Sequence, residues 1–223
     1  MENNQHFSRS IFQYNLLKWG KDNFRSYPWR LTKDPFKILL AEMMLHRTKS
    51  DQVEPVYNEL VLKFPSSELL SNIELDTLYE IIRPIGLNWR IKNIHDAVKY
   101  ISKHYHNNIP DNLTDLKRIP GVGDYIASAV LCMAYNKSAP VLDVNIVRVV
   151  GRIFDIEIAE SSRRAKKYKE KIVWLMDGVS AKQFLFSILD FASIICTLKN
   201  PKCVHCSLLK ICSYGLKHEK NFN

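Results

Sequence analysis

The chain has 223 residues, of which 46% are hydrophobic, 11% aromatic and 25% charged. That is globular composition; it excludes disordered, collagenous and fibrous classes and gives enough length for one domain or two small lobes around a buried core. Lys and Arg number 32 against 23 Asp and Glu, a formal charge of +9 with an isoelectric point near 9.3, which favours a polyanionic partner, nucleic acid first.

The predicted elements are helical from end to end. Residues 7–24 carry apolar residues at helical spacing and break at Tyr27-Pro28-Trp29. Residues 34–48 open with Asp34 as N-cap and Pro35 at the first helical position, then continue apolar on nearly every side, as a buried helix does. Further helices are predicted over 51–63, 66–72, 75–83, 90–104, 113–118, 124–136, 143–154, 165–176 and 181–196, punctuated by Gly86, Pro110, the Pro120–Gly123 turn and Pro140. Seven glycines and nine prolines are too few for a strand-and-turn protein of this size. The expectation is a compact all-α fold with a cysteine-bearing C-terminal loop. Positive charge gathers at 163–171 and in the last 25 residues, and the basic stretch at 160–170 is the one segment that reads as a linker. A solvated lysine-rich face would give the same pattern, so charge alone does not name the partner. No stretch approaches the ~20 apolar residues of a membrane helix, and the charged first 30 residues lack a signal-peptide core, so a cytoplasmic location and no membrane partner are expected.

Four positions carry possible chemistry. Glu42 stands in the apolar run Leu39-Leu40-Ala41-Glu42-Met43-Met44-Leu45; a carboxylate there is either half of a buried ion pair, for instance with Arg47 or Lys49, or a pocket-lining acid with a raised pKa. Residues 113–130 read as a short helix, the tight turn Ile119-Pro120-Gly121-Val122-Gly123, and a second helix rich in small residues. Gly121 and Gly123 allow close backbone approach, and outward amides at a helix start suit a phosphate; an ordinary helix–helix turn would look the same. Asp143, after Pro140 and before the apolar run Val144-Asn145-Ile146-Val147-Arg148-Val149, is either an N-cap or a carboxylate at the mouth of a cleft. Finally Cys196, Cys203, Cys206 and Cys212 are spaced C-x6-C-x2-C-x5-C. Clustered thiols in a cytoplasmic chain read as a metal site rather than disulfides, with zinc or an iron–sulfur cluster as candidates and the irregular gaps favouring the cluster. His205 lies between two of them as a bystander, and Cys132 reads as a small buried hydrophobe.

Together, Ile119-Pro120-Gly121-Val122-Gly123-Asp124-Tyr125, Leu142-Asp143-Val144-Asn145-Ile146-Val147-Arg148 and the four cysteines resemble the helix-hairpin-helix (HhH-GPD) DNA glycosylases with a [4Fe–4S] cluster, the superfamily of endonuclease III, over residues 27–212. The resemblance implies a six-helix-barrel-like lobe over 30–140 with the hairpin at 113–136, and a helical lobe from 1–29 and 141–223 with the cluster loop at 196–212. It implies double-stranded DNA with a mismatched or damaged base bound between the lobes, a monomer at the nucleoid, and Cys196, Cys203, Cys206 and Cys212 as cluster ligands. Asp143 would stabilise the oxocarbenium-like transition state of base release, Tyr125 would line the pocket, and Gly121, Val122 and Gly123 would offer amides to a phosphate. His46, Arg47, Asn145 and Arg148 are further DNA-contacting candidates, and Lys199, Lys202 and Lys210 would face phosphates from the cluster loop. Members that also cleave the backbone through a Schiff base have lysine where this chain has Tyr125, so a monofunctional glycosylase is implied.

Two neighbouring subfamilies carry a glutamate at the position of Glu42. The segment Leu45-His46-Arg47-Thr48 is nearer the L-R-R-T pattern of thymine mismatch enzymes than the L-Q-Q-T of adenine glycosylases, and Gly86-Leu87-Asn88-Trp89-Arg90 lacks the adenine enzymes' G-L-G-Y-Y. The sequence also ends 11 residues after Cys212, short of the domain adenine glycosylases use to read 8-oxoguanine. Removal of thymine, and of uracil, opposite guanine is therefore expected. The alternatives are adenine removal opposite guanine or 8-oxoguanine, with Glu42 as proton donor, and a non-enzymatic iron–sulfur DNA-binding protein on the same scaffold.

Overall fold

The structure is a computed structural model describing residues 7–218; the end of the basic C-terminal stretch, 219–223, lies outside the described residues. Among the described residues every regular element is helical. By contacts the chain forms two compact units, Ser26–Lys137 and Met1–Arg25 with Ser138–Asn223. No single helix among the described residues is long and apolar enough to cross a membrane.

The second unit takes α1 (Arg9–Asp22) from the front of the chain and joins to it α10 (Val144–Phe154), α11 (Lys166–Met176), α12 (Ala181–Ile194) and α13 (Ser213–His218). Helix α1 lies along α12, burying Phe12, Leu16 and Gly20. The helices approach so closely at Gly20 that a Cβ there would stand 2.0 Å from Ser187 Oγ and 3.0 Å from Ser187 Cα. Just beyond α1, Arg25 pairs with Asp190 of α12 at 2.5 Å, and that carboxylate is almost wholly buried. Helix α10 turns Ile146, Val147, Val149, Val150 and Ile153 inward and meets both α12 and α13.

The contiguous unit holds α2 (Pro28–Leu31), α3 (Pro35–Leu45), α4 (Ser50–Lys63), α5 (Ser67–Ser71), α6 (Leu75–Ile82), α7 (Asn88–Tyr105), α8 (Leu113–Leu116) and α9 (Asp124–Tyr135). Its centre is α3, which buries eight of its 11 residues against α4, α7 and α9. The expected cap is present: Asp34 Oδ1 accepts from the amides of Phe36 and Lys37 at 2.9 and 3.3 Å. Ala127, Ser128 and Ala129 of α9 are small enough to let it lie close against α3, and Cys132 is fully buried in the same helix, as expected.

Three segments differ from the sequence reading. The first helical run does end before Tyr27-Pro28-Trp29, but this segment also starts a short helix absent from the sequence reading, α2: proline sits where its fixed φ begins a turn, and Trp29 is buried, stacked on Tyr27 at 5.0 Å with Tyr57 edge-on at 5.3 Å. The basic stretch at 160–170 is not a linker. It folds as a 3₁₀ turn, Glu160–Arg164, followed by the first turn of α11, and is anchored by the buried Tyr168, whose hydroxyl donates to the carbonyls of Ile156 and Glu157 at 3.2 and 3.0 Å. Helix α13 was not anticipated; it is short, and its Gly215 is buried against Leu209.

Candidate active site

The hairpin is built as its residue types require. Val122 donates its amide to the Ile119 carbonyl at 3.1 Å, closing a turn with Pro120 at the second position and Gly121 at the third, where φ is +77°. A third-position residue with positive φ calls for glycine. Space demands it as well, since a Cβ at 121 would stand 2.9 Å from Asn93 Cβ of α7 and 3.1 Å from Met43 Cε of α3. The expectation of three outward amides is thereby corrected: Val122's is engaged within the turn and its side chain is buried. Gly121 and Gly123 are exposed, and Tyr125 follows, half-buried, on the first turn of α9.

Met43, which reaches the hairpin, is the neighbour of Glu42, whose side chain is buried within α3. Helix α3 then ends in an exposed loop carrying His46 and Arg47. Arg47 has φ +61°, His46 meets the exposed Trp89 edge-on at 5.2 Å, and burial together with the charges of Arg47 and Arg90 lowers the His46 pKa, favouring its neutral form near pH 7. The residue that holds this loop went unnoticed in the sequence. Arg90, fully buried at the start of α7, donates to the carbonyls of Met44 and His46 at 2.6 and 2.7 Å and to Thr48 Oγ1 at 2.6 Å.

In the other unit Asp143 is the N-cap of α10 and holds more than a cap requires. Its Oδ1 accepts from the amides of Asn145 and Ile146 at 2.9 and 2.7 Å, which meets two of the orphan donors of the helix start. Its Oδ2 accepts from Asn145 Nδ2 at 2.8 Å. Asn145 Oδ1 in turn accepts from Arg148 Nη1 at 2.9 Å. Arg148, a DNA-contacting candidate by charge, is buried instead: it donates to the carbonyls of Cys196 and Ala192 at 2.8 and 2.9 Å. It stands behind Asp143 and Asn145 as their support, tied to the first residue of the cysteine loop.

None of the four loop cysteines is in a disulfide, and all four line one small apolar recess walled by Val149, Ile153, Phe191 and Leu208. Among the described residues no three His, Cys, Asp or Glu side chains converge closely enough to hold a single metal ion. Arg152 Nη1 lies 3.4 Å from Cys196 Sγ, and the Gly215 amide donates to Cys212 Sγ at 3.4 Å. Burial raises the Cys203, Cys206 and Cys212 thiols, with neighbouring cysteines adding to it, and Cys206 is pushed up to about 12. Lys199, Lys202, His205 and Lys210 are exposed on the same loop.

Comparison with known proteins places this geometry in context. The family model of HhH-GPD superfamily base excision DNA repair proteins matches residues 40–173. The chain is 32% identical over 212 residues to a thymine/uracil-DNA glycosylase of Methanothermobacter thermautotrophicus, covering 92% of this chain and 94% of that one. It is 35% identical over 208 residues to a thymine-DNA glycosylase of Aeropyrum pernix, covering 89% and 92% respectively. Its fold is similar to that of a thermostable thymine-DNA glycosylase of known structure, with a TM-score of 0.88 and 32% identity over 94% of this chain and 97% of the other.

Proposed function

Because the chain belongs to the HhH-GPD superfamily of base excision DNA repair proteins, we propose that it removes thymine, and uracil, from mispairs with guanine. It is a DNA glycosylase, DNA is its partner, and similarity to thymine/uracil-DNA glycosylases along nearly the whole of both chains is the observation that carries the reading. The substrate is a duplex bearing the mismatch, met at the nucleoid by one chain acting alone.

The target nucleotide is turned out of the stack. The bond between sugar C1′ and base N1 breaks with its electron pair going to N1, so positive charge grows on the sugar as the base leaves. Asp143 is the carboxylate we assign to that charge. What supports the assignment is its restraint: three hydrogen bonds hold both oxygens before any substrate arrives, and a preorganised charge needs no rearrangement at the moment of reaction. Water adds to C1′ and gives up its proton, and N1 takes one, leaving an abasic site and free base. Tyr125 is assigned to the sugar, and because a phenol forms no imine with C1′ the backbone stays intact. Glu42 is assigned to the base, Gly121 and Gly123 to a phosphate through their backbone amides, and Arg47, His46 and Asn145 to the DNA around the lesion.

Cys196, Cys203, Cys206 and Cys212 would hold a [4Fe–4S] cluster. Four soft thiols around one apolar recess suit it, as do an arginine and a backbone amide beside two of the sulfurs. When bound, such a cluster supplies iron–thiolate bonds that cross-link the loop.

The test is single-turnover base release from duplexes carrying T·G, U·G, A·G and A·8-oxoguanine, each with and without hot alkali. Strand cleavage of T·G and U·G only after alkali is the expected result. Asp143→Asn should slow release by about 10²–10⁴-fold while duplex affinity is kept. Cleavage of the adenine strand would overturn the choice of base, and equal rates for wild type and Asp143→Asn would overturn the role of Asp143.

A further inference from the structure

Arg90 is the largest fully buried side chain among the described residues. A guanidinium taken out of water is costly unless its donors and its charge are met. Here the acceptors are all neutral, two carbonyls and a hydroxyl, and Nε is buried with no acceptor at all. Burial holds the group below the usual arginine range. Capping α3 does not demand such an arrangement: the helix ends in an exposed loop, where water or a left-handed glycine would satisfy the last carbonyls.

What the guanidinium adds is a bracket. Its acceptors on His46 and Thr48 stand immediately before and after Arg47, whose φ of +61° is strained for a residue with a side chain. Such a conformation persists only where its surroundings over-determine it, and it gathers at functional positions. The same turn of α7 carries Trp89 against the His46 ring, and Asn93, one turn further on, packs at the hairpin's Gly121. One helix end therefore sets both the exposed loop and the hairpin.

We propose that Arg90 is a positioning residue for DNA engagement: without touching nucleic acid, it holds Arg47 in its strained backbone conformation so that the Arg47 guanidinium meets the duplex. The proposal rests on the glycosylase reading for the duplex that Arg47 meets. A lysine at 90 cannot replace the bracket, because an ammonium lacks the planar fork that reaches three acceptors at once.

The experiment is a double-mutant cycle in affinity for a duplex carrying an abasic-site analogue opposite guanine, using wild type, Arg90→Lys, Arg47→Ala and the double variant. Each single substitution should weaken binding by about tenfold, and the double variant should bind no more weakly than Arg47→Ala, a coupling of about 1.4 kcal/mol. The loss should fall on affinity more than on the single-turnover rate at saturating enzyme. Thr48→Val removes one acceptor while keeping the shape; it should weaken binding by about threefold, with no effect in the Arg47→Ala background, and it decides the matter if Arg90→Lys folds poorly. Additive effects, with Arg90→Lys weakening both backgrounds equally, would show that Arg90 acts through stability alone and would overturn the proposal. Wild-type protein that releases no base from any mismatch would fail the glycosylase reading instead, while the binding cycle would still decide the role of Arg90.

Discussion

Replacing Asn145 with alanine separates a carboxylate that is held from one that is merely present. Asn145 Nδ2 is the donor to Asp143 Oδ2 at 2.8 Å, whereas the two bonds to Oδ1 come from backbone amides that alanine retains. The variant therefore keeps the cap and loses the restraint on the outer oxygen. A misplacement on the order of 1 Å in a reacting group is worth about 10²-fold, so the base-release rate should fall by roughly that factor, less than the loss in Asp143→Asn. On the other side Arg148 Nη1 loses its Asn145 acceptor, although its bonds to Cys196 and Ala192 remain. An unmet buried donor costs about 1–3 kcal/mol, and more when it is charged, which lowers the melting temperature by about 2–4 °C per kcal/mol in a chain of this size. Rates should be read under single turnover at saturating enzyme, well below the melting temperature of the variant. In the Asp143→Asn background the Asn145 substitution should add almost nothing to the loss of rate, since the group it positions is already gone. A melting temperature that falls while the rate stays at the wild-type value would refute the reasoning: Asn145 would then be a structural link only.

Two further outcomes follow from the packing and from the cysteines. Gly20→Ala forces α1 and α12 apart at a point where Ser187 backbone as well as side chain is in the way; overpacking of this kind costs about 1–3 kcal/mol, to be read in urea unfolding, and an unchanged midpoint would contradict the close approach. Protein purified without added metal should be brown, and Cys206→Ser should lose the visible absorbance and unfold at lower temperature; a colourless, zinc-loaded preparation with full activity would overturn the cluster assignment.

What could be read in the sequence was local. Asp34 before Pro35 and Asp143 before an apolar helical run announce their caps within four residues, and the Pro-Gly pair at 120–121 announces its turn. Arg90 could not be seen in the same way. Its three acceptors lie more than 40 residues earlier, and nothing beside it in sequence distinguishes a buried arginine from a solvated one. The burial of Arg148 is hidden for the same reason: its carbonyl acceptors lie more than 40 residues later. At 165–176 the spacing of Tyr168, Ile172, Leu175 and Met176, all of which are buried, announces α11, whereas the basic residues from Arg163 onward make 160–170 read as a linker. At Tyr27-Pro28-Trp29 the break after α1 is legible, but the short helix that begins at Pro28 is not, because it depends on what Trp29 packs against.

The pairing of α1 with α12 also has a consequence for the chain as it is made. About 160 residues separate Asp22 from Ala181, so at the usual ~5–20 residues per second of synthesis the first helix leaves the ribosome roughly 8–30 s before its partner exists. Throughout that interval Phe12 and Leu16, which have no exposed surface in the finished fold, have only water, a chaperone or a wrong neighbour to meet. The intervening segment, 26–137, is contiguous and can complete its own core meanwhile. Birth order thus leaves the N-terminal helix waiting on the last long helix of the chain, and its apolar stripe is where a nascent-chain chaperone would be found.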